Sequence, residues 1–354
     1  MVSGYILQAA SVYESNTGDK RYSKDGAFEF QITDTAKFKY DLGSVAKAVY
    51  RNMDENPYCL YPCEPNWVYT ICNFVGISGL VISDRLLGNN YAQQLKDRFL
   101  SSLEREFTRP DGTIEPIRSE LTGFVIPGLA GTISDAAIAI LGAAYMPHIA
   151  HRNWAIIKEE HIRYDENGKL QLVHLTGADK LDPGNYKGGE GCIRASVAHS
   201  AAEYGDDKIR QDLLHQLEEE FHPVFETKSG ALRYKGLSTL GTTLALKARL
   251  SRYQDWRKMI LEGPPPNVFK GPILDAVPFP DVLVAKAYSQ DGQSIDLVFY
   301  PGAKPGTFTL GFSRLAPGQT YSLGEQTAKA DVEGRAKFDV QINGRTELKL
   351  QKSN

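Results

Sequence analysis

The chain changes its hydrophobic period once, and that change limits what it can fold into. Up to about residue 262 the apolar side chains recur at helical spacing, as in Leu95, Phe99, Leu103 and Phe107. Gly263-Pro264-Pro265-Pro266 then breaks the pattern. Beyond it the residues alternate: Val282 to Tyr288 and Ile295 to Tyr300 flank the turn Ser289-Gln290-Asp291-Gly292-Gln293, and Thr307–Phe312, Lys337–Ile342 and Thr346–Leu350 follow suit. The pattern predicts a helical domain over 1–262, a Pro/Gly linker over 263–278, and a small antiparallel β-sandwich over 279–354 for packing, assembly or closing a rim.

Helices are expected over 3–16, 35–53, 65–87, 91–107, 132–145, 193–204, 207–220 and 239–261. Asp165-Glu166-Asn167-Gly168 marks a β-hairpin within 161–182. Residues 108–131 read as a long polar, Gly-rich loop in which Glu115, Arg118 and Glu120 could form a rim, with an ion-paired loop as the plainer reading. His148 and His151 read as surface or loop residues.

A net charge of −3 over 354 residues gives no reason to expect nucleic acid or an anionic membrane as partner. No run of about 18 apolar residues is visible, so no spanning helix is expected. The N-terminus lacks a basic segment and a long apolar one, which argues against a signal peptide. Four unevenly spaced cysteines are not a secreted disulfide scaffold, and a reducing cytosol is the expected compartment.

Three of those cysteines fall within Tyr58–Asn73. Pro65 suits the first position of a helix, where its missing N–H costs nothing. Cys63 would then precede the helix, whose N-terminus favours thiolate there, and Cys72 would lie inside it. At roughly 100° per residue, nine residues of continuous helix put the two sulfurs on opposite faces. If they act together, Cys63 must project from the loop. A buried cysteine is commonly a small hydrophobe. Zinc wants paired knuckles that Cys-x3-Cys-x8-Cys lacks, and a disulfide wants an oxidising compartment. A catalytic cysteine pair is the sharpest of the readings that stay open.

Cys63-Glu64-Pro65-Asn66-x-x-Tyr69-x-x-Cys72-Asn73 resembles the signature of the linalool dehydratase-isomerase family. The likeness runs over most of residues 1–262. It implies a mainly α fold, an (α/α)6-type toroid, and an enzyme that adds or removes water at an allylic terpene alcohol, or isomerises it, with no cofactor and no metal. Carried over, Cys63 and Cys72 are the catalytic thiols and Tyr69 is a site aromatic. Met1-Val2-Ser3-Gly4-Tyr5 is similar to a second family stretch, in which Met1 lines the substrate and Tyr5 stands where the family has a functional histidine. Tyrosine, with a pKa of about 10, donates a hydrogen bond but is a poor base at neutral pH.

Trp67, Glu64, Asn66 and Asn73 complete the expected substrate-binding set. The Gly-rich stretch before residue 193 adds Glu190 and Cys192 as site candidates. An apolar small molecule is the expected ligand. The family completes its site with an aspartate and a tyrosine from a neighbouring subunit, which implies a homo-oligomer with sites near subunit interfaces. Those residues come from N-terminal helices that this sequence lacks, so the toroid is expected to be incomplete there.

The chemistry wants an acid at the hydroxyl and a base at carbon, and a thiol pair can divide that work. The expected reaction is a dehydration, hydration or cyclisation of a terpenoid or meroterpenoid alcohol. Two other classes remain open on sequence. One is a carbohydrate-active α/α toroid, hydrolase or lyase, using Glu115, Glu120 or Asp135. The other is a non-catalytic truncated homologue acting as a binding or assembly partner.

Overall fold

The computed structural model describes residues 2–126, 129–225 and 232–353. Two compact units divide the chain: Met1–Pro223 with Tyr234–Gly263, and Val224–Arg233 with Pro264–Asn354. Among the described residues there are ten α-helices, all before residue 262, and the C-terminal part is antiparallel sheet.

The first unit opens with α1 (Val2–Thr17), the paired strands β1 (Phe28–Gln31) and β2 (Lys37–Tyr40), and α2 (Leu42–Glu55). The helix expected over 35–53 therefore starts later. Asp41 and Ser44 form a capping box, each side chain bonded to the other's backbone N–H at 2.8 Å, which fixes the start at Leu42. The residues before it are taken by the ladder Phe30↔Phe38 and its neighbours.

Next come β3 (Trp67–Tyr69), α3 (Thr70–Leu87), α4 (Tyr91–Ser102), β4 (Ile117–Ser119), α5 (Thr132–Leu141) and α6 (Pro147–Ile156), which carries His148 and His151. Then follow the hairpin β5 (Ile162–Tyr164) and β6 (Leu170–Leu172), as expected, and the short pair β7 (Leu181–Asp182) and β8 (Lys187–Gly188). After α7 (Gly191–Tyr204) and α8 (Asp207–Phe221), β9 (Pro223–Phe225) pairs with β10 (Leu232–Tyr234). The helix expected over 239–261 is two, α9 (Thr239–Leu250) and α10 (Asp255–Leu261). Gln254 turns at φ +62 between them, and the buried Glu203 carboxylate accepts the N–H groups of Trp256 and Arg257 at 2.9 and 3.1 Å, capping the second helix.

Helix α3 organises this unit. It meets α1, α2, α4 and α5 and ends in the left-handed cap Gly88, at φ +74. Contrary to the expectation of no spanning helix, its 18 residues are long and apolar enough, by length and composition only, to cross a membrane. Phe74, Ile77, Leu80 and Ile82 are wholly buried, the position of a core helix. Around them lie Leu7, Leu42, Val49, Phe99 and Phe107. Helix α1 lies so close to α3 that a Cβ on Gly79 would meet the Gln8 nitrogen at 2.9 Å and Leu7 Cγ at 3.0 Å. A second cluster, including Ile193, Val197, Leu213 and Leu217, fills the space around α7.

The second unit holds β11 (Ile273–Ala276), β12 (Val282–Tyr288), β13 (Ile295–Pro301), β14 (Gly306–Ser313), β15 (Thr320–Leu323), β16 (Gln326–Lys329), β17 (Ala336–Ile342) and β18 (Thr346–Lys352). They form a three-stranded sheet, β11-β14-β17, and a five-stranded one, β12-β13-β18-β15-β16. Strand β17 buries every second residue, Ala336, Phe338, Val340 and Ile342, in a core shared with Phe299, Phe312 and Leu350. The segment expected as a linker over 263–278 holds β11, which is hydrogen-bonded to β14.

Candidate functional site

Cys63 and Cys72 come from different kinds of backbone. After α2 the chain reverses tightly: Trp67 N donates to Glu64 O, and Cys63 N to Trp67 O, both at 2.9 Å. Asn66 takes the left-handed conformation this needs, φ +73, which asparagine tolerates. Its Oδ1 accepts from Ser119 Oγ at 2.8 Å and from Leu121 N at 3.2 Å. Trp67 to Tyr69 then pair with Ser119 to Ile117.

The helix expected from Pro65 therefore begins at Thr70, and Pro65 sits in the turn. Aromatic and β-branched side chains favour a strand once a partner exists, and that partner lies about fifty positions away, beyond any local pattern. Trp67 and Tyr69 consequently share one strand face while Val68 is buried on the other. The helix N-terminus falls at Cys72, the third helical residue, and not at Cys63, so it does not favour a thiolate at Cys63.

Cys63 sits in the loop, half-buried, near enough to Cys72 on α3 for the two thiols to influence one another. Asn73 holds the two backbones together. Its Oδ1 accepts Tyr61 N at 3.1 Å, and its Nδ2 donates to Tyr61 O at 3.0 Å and Tyr69 O at 2.9 Å. Asn73 is fully buried and both amide hydrogens are used, so it clamps the site and has nothing left for a substrate. Asn66, expected beside it, uses its Oδ1 on Ser119 and Leu121.

Three tyrosines surround the pair. Tyr5, half-exposed on α1, has its hydroxyl 3.6 Å from Cys72 Sγ. Tyr61 OH and Ser3 Oγ are 3.2 Å apart. Tyr69 lies beside the Glu64 carboxylate. Burial is the main reason all three hold their protons above the ordinary tyrosine range; charge on the two sulfurs adds to it, together with the Cys72 bond for Tyr5 and Glu64 for Tyr69. Burial also pushes the Cys72 thiol up to about 11; Cys63 adds to the rise and the Tyr5 hydroxyl opposes it. Cys72 is thus a thiol at neutral pH, able to donate a proton. Ser3 was missing from the sequence-based site, since one serine in a first helical turn carries no distinguishing pattern.

Other candidates lie elsewhere. Met1 lies outside the described residues. Glu190 precedes α7 and pairs with Arg194 at 2.9 Å. Cys192 is buried on α7, among α5, α8 and α9, whereas the thiol pair sits where α1 meets α3. Burial, with Asp182 adding to it, pushes its thiol up to about 12. Glu115 pairs with Arg109 at 3.8 Å, Arg118 with Glu106 at 3.0 Å, and Glu120 accepts from Asn56 at 3.2 Å. Asp135 is buried and accepts a long contact from Ile114 N, 3.4 Å. The carboxylates suggested for glycoside chemistry are therefore engaged in internal contacts. Among the described residues, no group of three or more His, Cys, Asp or Glu side chains could hold a metal.

The family described as linalool dehydratase/isomerase matches residues 1–240. No curated protein matches the chain. Similar solved structures include an unsaturated glucuronyl hydrolase specific for heparin, at 11% identity over 73% of this chain and 85% of that one, with a TM-score of 0.36. Another is a type II terpene cyclase, MstE, from Scytonema in complex with geranylgeranyl dihydroxybenzoate, at 13% identity over 83% and 81%, with a TM-score of 0.32. Likenesses at these scores bear on neither the site nor the reaction.

Proposed function

We propose, from the premise that the chain belongs to the linalool dehydratase/isomerase family, that it is a cofactor-independent carbon–oxygen lyase or isomerase acting on a terpenoid or meroterpenoid alcohol. The observation that carries this reading is the meeting of Cys63 and Cys72 under a cluster of tyrosines. In dehydration, the Cys72 thiol gives its proton to the hydroxyl, and the C–O bond breaks with loss of water. The positive charge spreads over the allylic carbons. Cys63, in the role of base, takes a proton from the adjacent carbon and yields the diene. A proton passing from Cys63 back to Cys72 restores the pair. Isomerisation uses the same cation, with water returned at the other allylic carbon. The faces of Trp67 and Tyr69 suit a delocalised cation.

In this reading the ten helices are ten of the twelve that an (α/α)6-type toroid has, over residues 1–262, and the C-terminal strands form a β-sandwich over 279–354. The protein works as a homo-oligomer with sites near subunit interfaces. Leu121 and Phe124, exposed beside the Asn66 turn, support an interface there.

The test is incubation of purified protein with a panel of allylic terpene alcohols in metal-free buffer, read by gas chromatography. Diene or rearranged alcohol is the expected product. No conversion across the panel, with thermal stabilisation by oligosaccharides alone, would reject the reading in favour of a carbohydrate-active enzyme.

A further inference from the structure

Helix α1 turns one side to the thiols and another to a cavity of about 200 Å³. Its walls are Ser3 and Ile6 of α1, Phe30 of β1, Tyr40 of β2, and Val45 and Ala48 of α2. The β1–β2 hairpin roofs it with aromatic rings. Tyr22 stacks on Phe28 at 5.1 Å, Phe28 lies 6.3 Å from Phe30, and Phe30 meets Tyr40 edge-on at 5.7 Å. An apolar cavity of about 150 Å³ can stay dry and bind benzene, so this one has room for one or two isoprene units.

Ser3 connects the cavity to the reactive groups. It lines the cavity, and its Oγ lies 3.2 Å from the hydroxyl of Tyr61, which is within electrostatic reach of both sulfurs. We infer that this cavity is the tail subsite of the thiol site, holding the apolar prenyl chain of the alcohol, with the Ser3–Tyr61 hydroxyl pair marking the passage to the sulfurs. The inference rests on the function proposed above and adds to it a determinant of chain length, the β1–β2 hairpin with Ala48.

The test uses saturated, non-allylic alcohols, which can bind but cannot ionise: isoamyl alcohol, dimethyloctanol and hexahydrofarnesol, titrated calorimetrically into wild type, Ala48→Leu and Phe30→Ala. Wild type is expected to bind more tightly as the chain lengthens. Ala48→Leu fills the cavity and should weaken the longest alcohol about tenfold or more while leaving the shortest within about twofold, because displaced methylenes lose their burial. Phe30→Ala opens the roof and should shift preference the other way. Equal effects of either variant on every chain length, or none, would overturn the subsite while leaving the thiol chemistry standing. Failure of wild type to bind any of the three would overturn the subsite and the proposed function together.

Discussion

Asn73→Ala tests whether one buried amide holds the two thiols in register. The substitution removes three hydrogen bonds, of 3.1, 3.0 and 2.9 Å, and leaves their backbone partners at Tyr61 and Tyr69 unpaired. At about 1 kcal/mol for each such bond, the loss should be about 3 kcal/mol. It should appear as a lower guanidinium midpoint at unchanged slope. Because the clamp holds the Cys63 loop against the first turn of α3, alkylation of Cys63 should also speed up under native conditions. Asn73→Asp keeps the acceptor but turns an oxygen toward two carbonyls, so it should be at least as damaging. A loss below about 0.5 kcal/mol, with Cys63 alkylation unchanged, would refute the reasoning.

Asp135 is buried, and its carboxyl is pushed up from 3.8 to about 7, chiefly by desolvation. A raised pKa means that the fold favours the protonated form, so stability should be full below about pH 4 and fall as pH rises through about 7. Asp135→Asn should remove that slope and exceed wild type by up to about 4 kcal/mol at about pH 8, as measured by chemical denaturation across pH. Gly79→Ala would drive a Cβ into Gln8 and Leu7. Overpacking of about 1–3 kcal/mol should outweigh a helix-propensity gain of about 1 kcal/mol, lowering the melting temperature and, by moving Tyr5 from Cys72, turnover as well. Tyr5→Phe deletes the hydroxyl that holds the Cys72 pKa down, so thiolate absorbance at Cys72 should appear at higher pH than in wild type.

The period change at residue 263 separated helix from sheet because periodicity survives packing: the helices α1, α7 and α8, the hairpin β5–β6 and the alternating strands after Val282 lie where the pattern put them. What the sequence hid depended on distant partners. The strand Trp67–Tyr69 exists because Ile117–Ser119 lies beside it, and the start of α2 was set by a cap at Asp41 after a ladder with residues 28–31. The site shows the same division. The resemblance carried by Cys63-Glu64-Pro65-Asn66 and Cys72-Asn73 points to the two thiols, and helical geometry alone demands that Cys63 lie outside the helix if the two act together. The clamping task of Asn73 is not legible in the sequence, since a carboxamide's partners are visible only once the backbone it binds has folded around it. Cys192 looked like a site candidate because chemistry-bearing residue types do not reveal burial by themselves.

The central claim is that the two thiols divide the proton transfers. The most direct measurement is turnover of the best allylic alcohol by Cys63→Ala and Cys72→Ala, each with an unchanged circular dichroism melt. Loss of a positioned acid or base should lower kcat by about a hundredfold or more in each variant. Turnover within about threefold of wild type in both variants would contradict the account.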